Sequence, residues 1–161
     1  MMTKDIFDPD IQDAPVYPVS FMIQNQEHLN EYPTYDFADP QIELTKDGNI
    51  DFQLFCTIYL DKEFIENFKN VDNFIYLNVL STNDQQQEIY LVQQKGDFPL
   101  DQGILIKYSF HVVINEENVK KFKLSCLKLQ LAITQKHEGE MGISESIRFG
   151  RFLNTVIPIK K

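Results

Sequence analysis

Ile50-Asp51-Phe52-Gln53-Leu54-Phe55-Cys56-Thr57-Ile58-Tyr59-Leu60 is the stretch on which the fold turns. Every even position in it is apolar, while Asp51, Gln53 and Thr57 stand on the odd ones. Side chains of a strand alternate between its two faces, so this period of two predicts an extended segment with one face in a core. Cys56 falls on that inner face. Just before it, Lys46-Asp47-Gly48-Asn49 predicts a turn, because Asp-Gly and Gly-Asn tolerate the positive φ that tight turns need. Just after it, Asp61 is placed to cap a short helix over residues 62–69 that turns Phe64, Ile65 and Phe68 to one side.

The same period recurs downstream. Residues 71–80 form a near-continuous apolar run, fit for a strand covered on both faces. A polar loop at residues 81–87 leads to a hairpin partner at 88–93, and a connection at 95–103 leads to a second two-faced strand at 104–114. Residues 115–118 read as a turn or one helical turn. Over residues 121–134 the apolar phase changes, from Phe122 and Leu124 to Leu127, Leu129, Leu131 and Ile133. A β-bulge near Ser125-Cys126 restores the facing; the rival account is a helical start. Residues 135–145 read as a loop with Gly139 and Gly142, and the last strand sets Arg151 among Ile147, Phe149, Leu153, Ile157 and Ile159.

Upstream, residues 16–23 read as an edge strand, since Pro15 and Pro18 cannot donate to a ladder. Residues 24–35 read as a polar connection and 35–44 as a short strand broken at Pro40. Residues 1–14 are acidic and aperiodic, an N-terminal arm ahead of a single domain over 15–161. About seven to nine strands with hairpin-like links and one short helix predict a mostly β fold, an antiparallel two-sheet β-sandwich, with a small β-barrel as the alternative.

Composition narrows the function classes. The chain has 161 residues, 43% of them hydrophobic, which suits one core. Its formal net charge is -9, a balance that repels phosphate backbones and argues against nucleic acid. The charge is uneven: residues 1–101 carry 19 Asp+Glu against 5 Lys, hence -14, and residues 102–161 carry 5 Glu against 10 Lys+Arg, hence +5. No signal peptide and no membrane-spanning apolar run is read, which places the protein in the cytoplasm. Cys56 and Cys126, without a CxxC or Cys/His neighbour, read as buried thiols in a reducing compartment.

No residue is assigned to catalysis, a cofactor or a metal. His28, His111 and His137 lack a flanking nucleophile elbow. His137, Glu138 and Glu140 offer ligand atoms, but no second cluster completes a shell, so their segment reads as a solvated hairpin tip. The residues singled out for partner binding are basic: Lys120, Lys121, Lys123, Lys128, Arg148 and Arg151, a patch suited to an acidic partner or to another copy of the chain. The functional expectation is a non-enzymatic protein-interaction or structural module. It is either a subunit of a larger phage-like or secretion assembly whose copies pair by strand addition, or an acidic inhibitor or immunity-type protein. The alternative is a small-ligand-binding sandwich or hydrolase with a pocket near Arg151.

Overall fold

A computed structural model describes residues 16–31, 39–70, 72–82, 87–101, 103–139 and 142–160; among these, side chains 16–18, 67, 82, 134–139 and 142–154 are left aside. The predicted arm and the first half of the strand read at 35–44 lie outside the described residues. The described chain forms seven strands: β1 (Val16–Asn25), β2 (Ile50–Leu60), β3 (Asn73–Thr82), β4 (Glu88–Asp97), β5 (Leu105–Ile114), β6 (Cys126–Gly139) and β7 (Gly142–Pro158). They make two antiparallel sheets, one of three strands ordered β1-β2-β5 and one of four ordered β4-β3-β6-β7. The sheets remain separate, so the sandwich stands and the barrel does not.

The alternation in β2 is realised residue by residue: Ile50, Phe52, Leu54, Ile58 and Leu60 are all fully buried. Their antiparallel partners on β5, including Ile106, Phe110 and Val112, are buried too. They belong to one core with Ile75, Leu77 and Val79 of β3 and Leu127, Leu129, Leu131 and Ile133 of β6. Removing each such side chain from water stabilises the fold by about 1.5–3 kcal/mol before chain entropy is set against it.

Among the described residues there are three short helices where one was expected. α1 (Gln26–Glu31) occupies part of the presumed polar connection, with Leu29 buried. α2 (Lys62–Phe68) follows the prediction: Asp61 accepts from the Glu63 N–H at 2.9 Å, and Phe64 and Phe68 lie against each other with ring centroids 5.1 Å apart. α3 (Glu116–Lys121) is capped by Asn115, whose side chain accepts from the Asn118 N–H.

α3 also settles the phase change. Phe122 and Leu124 belong to the helix exit, where Lys123 adopts a φ of 48°, and the strand begins at Cys126. The helical account is correct and no bulge sits at 125–126. The ladder irregularities lie farther on, between Leu131 and Ala132 and between Ala132 and Thr134. They break the simple parity of the last strand: Leu153 is opposite Leu131, but Arg151 is opposite Ala132, in the row that holds Tyr76. Two expected loops are also shorter than read. β4 continues through Lys95 and Gly96 to Asp97, and β6 and β7 stay paired up to Gly139 and Gly142, with His137 opposite Ser144.

The turn at residues 45–49 forms as expected. Gly48 takes a φ of 79° there, and its N–H donates to the Thr45 carbonyl.

Candidate interaction surface

Among the predicted basic residues, Lys120 and Lys121 lie on α3 and Lys123 on the turn that follows. Lys120 pairs with Glu116 one helical turn away, and the Lys121 ammonium lies 5.4 Å from the Phe122 ring centroid. Lys128, on β6, pairs with Glu88. Arg151 is opposite Ala132 and Arg148 follows Ile147, which is opposite Thr134, so both occupy a later part of the β6–β7 ladder; their side chains lie outside the description. The structure therefore groups Lys120, Lys121 and Lys123 locally.

Both histidines with described side chains are bound to carboxylates. His111 Nε2 is 2.6 Å from Asp51 Oδ1. His28 Nδ1 is 2.9 Å from Asp39 Oδ1, and its Nε2 is 3.2 Å from Glu43 Oε2. Neither thiol is paired in a disulfide. The Cys56 S–H donates to the Tyr108 carbonyl at 3.5 Å, and burial pushes its pKa up to about 12. A thiol held protonated in this way is a poor nucleophile. Among the described residues no cluster of His, Cys, Asp and Glu is arranged to hold a metal ion.

Exposed apolar residues are spread over the surface, Tyr90 on β4 and Val156 on β7 among them, and several lie on the three-stranded sheet. Across the three-stranded sheet, Ser20, Thr57 and Lys107 form one register row, and Met22, Phe55 and Ser109 form the next. These rows line an open groove of about 540 Å³. Lys107 is the one charged side chain lining it among the described residues. On the same outward parity of β5, Leu105 is 54% exposed and Val113 is 52% exposed. Alternation explains why they stand outside: Ile106 and Val112 beside them are taken into the core.

Parts of the sheet edges, in contrast, are covered. On β1 the register shifts between Pro18 and Ser20, and toward its far end the Ile23 carbonyl accepts from the Asp39 N–H at 2.8 Å. The Asn25 N–H donates to Asp39 Oδ2. On β5 the His111 carbonyl accepts from the Gln94 side chain. At the end of β7, the Ile42 N–H donates to the Pro158 carbonyl and the Lys160 N–H to the Ile42 carbonyl, making a parallel bridge between Ile42 and Ile159. Such devices keep an edge from recruiting another chain. β4 carries Lys95 and Asp97 along its edge.

Residues 39–43 thus form a strap across the ends of both sheets, and β1 supplies its anchor. Asn25 is buried, its Nδ2 donates to the Gln41 carbonyl and its Oδ1 accepts from the Glu43 N–H. Sequence reading missed this node. Asn25 and His28 looked like ordinary connection residues, and only the pairing of distant segments gives them partners.

No protein family model matches the chain, and no curated protein matches it. Two solved structures align along most of its length. One, an X-ray structure of a Northeast Structural Genomics Consortium target, has a TM-score of 0.38 and 9% identity over 91% of this chain and 88% of its own. The other, a Bordetella pertussis protein provisionally named ApaA, has a TM-score of 0.36 and 11% identity over 91% of this chain and 96% of its own. Likeness at this level assigns no function to the chain.

Proposed function

We propose that the chain is a non-enzymatic structural and protein-interaction module of the cytoplasm, a subunit that packs face-on against a second copy in a larger assembly. One observation carries this reading: the outer surface of the three-stranded sheet holds Met22 and Phe55 in an open groove, with Leu105 and Val113 exposed farther along β5, while parts of the edges beside it are covered. Covered edges weigh against strand addition, and exposed apolar patches are the usual substrate of face-to-face packing. Charge limits where copies can meet: two copies of a chain with net charge -9 repel one another, and the groove itself is lined by one charged side chain, the positive Lys107, among the described residues.

Sedimentation velocity over a wide range of concentration tests it, with Leu105→Asp and Val113→Asp as variants. Both positions are exposed, so the fold should survive either change. The expected result is a defined oligomer that dissociates to monomer in both variants. A native chain that stays monomeric throughout, or variants that assemble unchanged, would refute the reading. A salt-sensitive one-to-one complex formed by such a monomer with a basic protein would support the acidic-inhibitor reading in its place.

A further inference from the structure

Two segments meet at His28, its own helix α1 and the strap at residues 39–43, and Lys160 joins them by way of Glu43. The imidazole lies between Asp39 Oδ1 at 2.9 Å and Glu43 Oε2 at 3.2 Å, so both ring nitrogens face a carboxylate oxygen. Only the imidazolium donates from both nitrogens at once. Asp39 is also the residue whose N–H and Oδ2 cover the β1 edge at Ile23 and Asn25. Glu43 lies next to Ile42, which covers the end of β7.

From this geometry we infer that His28 is a proton-operated latch: its imidazolium pins the strap over the edges of both sheets, and its deprotonation loosens the strap where it covers the β1 edge.

The surroundings fix the direction. The hydrogen bond to Asp39 raises the His28 pKa above 6.5, burial opposes it, and the charges of Asp39, Glu43 and Glu31 add to the rise. Lys160 lies 3.6 Å from Glu43 on the side of the chain end, and the Glu27 carboxylate accepts from the Lys46 N–H where the strap leads into the turn. A group whose folded pKa is raised lends its full stabilisation below the unfolded value and loses it as pH climbs through the folded one. The latch is therefore closed in mildly acidic solution and opens on the alkaline side. Deprotonation loosens the strap without ejecting it, because Ile42 is fully buried and both Asn25 carboxamide bonds persist.

Amide hydrogen exchange by NMR on the full chain tests this, with intrinsic rates divided out and measurements on either side of the His28 titration midpoint read from its own ring signals. Protection at Asn25, Asp39 and Ile42 is expected to fall about two- to fivefold as pH rises, the range open to a partly exposed ion pair. Leu54 and Phe110, in the ladder between β2 and β5, keep theirs. In His28→Gln, protection at the three strap amides is low at both pH values. Unchanged protection across the midpoint, or a fall that persists in His28→Gln, overturns the latch. Should that variant not fold, a wild-type midpoint at or below 6.5 overturns it equally.

Discussion

The sandwich closes differently at its two sides. Where β4 meets β5, closure is by shape: Gly96 has no side chain, and the Tyr108 ring fills the room, with Phe98 and Phe110 as ring neighbours at centroid distances of 6.5 and 4.9 Å. Where β1 meets β7, closure is by a polar strap: Asn25, Asp39, Glu43 and His28 hold residues 39–43 across the gap. Dispersion and exclusion of water set most of the first, with one hydrogen bond from Gln94 to the His111 carbonyl, and none of these depends on protonation. The second is made of groups that titrate or hydrogen-bond. One side of the molecule is thus built to stay shut, and the other answers to solution conditions.

The comparison is broken most forcefully at the packed side. A Cβ placed on Gly96 overlaps the Tyr108 hydroxyl and stands 2.9 Å from Cζ, and the Phe98 and Phe110 rings flank the tyrosine. Gly96→Ala should cost toward the top of the roughly 1–3 kcal/mol typical of overpacking. In a Tyr108→Phe background the penalty should shrink, so urea denaturation of the double-mutant cycle reads the contact directly. Full additivity would show that these two residues do not close that side.

The next effect lies in the strap. Asn25→Ala removes a donor from the Gln41 carbonyl and an acceptor from the Glu43 N–H. A loss of about 1–2 kcal/mol follows from the two hydrogen bonds, and limited proteolysis should cut first near residues 39–43. Cleavage first at the β4–β5 side would reverse the contrast between the two sides.

The smallest effect sharpens it. His28 is 45% exposed on its side chain, so water screens its ion pairs and the global loss on raising pH through its folded pKa should stay below about 1 kcal/mol. Thermal unfolding of the wild type should show that loss and His28→Gln should not. The Gly96→Ala penalty, in turn, should be the same at both pH values.

Sequence reading reached the packed part of this molecule and missed the strapped part, for a physical reason. Alternation is local: Ile50 to Leu60 and Ile106 to Ile114 announce their facing within a few residues, and Asp61 announces the cap of α2 in the same way. The strap depends on side chains that acquire meaning only from partners far along the chain, as Asn25 does from Gln41 and Glu43. Between these extremes sits the change of phase at Phe122 and Leu124. A helix exit and a bulge both shift parity by one, so the pattern alone could not choose between them. Leu105 and Val113 were legible in the same way, as apolar residues on the outward parity of a strand, but a strand that is apolar on both faces does not announce which face stays exposed.

The parallel bridge between Ile42 and Ile159 also governs when this fold can be completed. Its two residues straddle β2 through β7, so no nascent chain can make the contact until the ribosome has synthesised everything between them. Until then the strap can hold only its β1 anchor at Asn25, and the partner of Ile42 is missing. During synthesis this corner is accordingly completed last, when the two ends of a long loop are brought together.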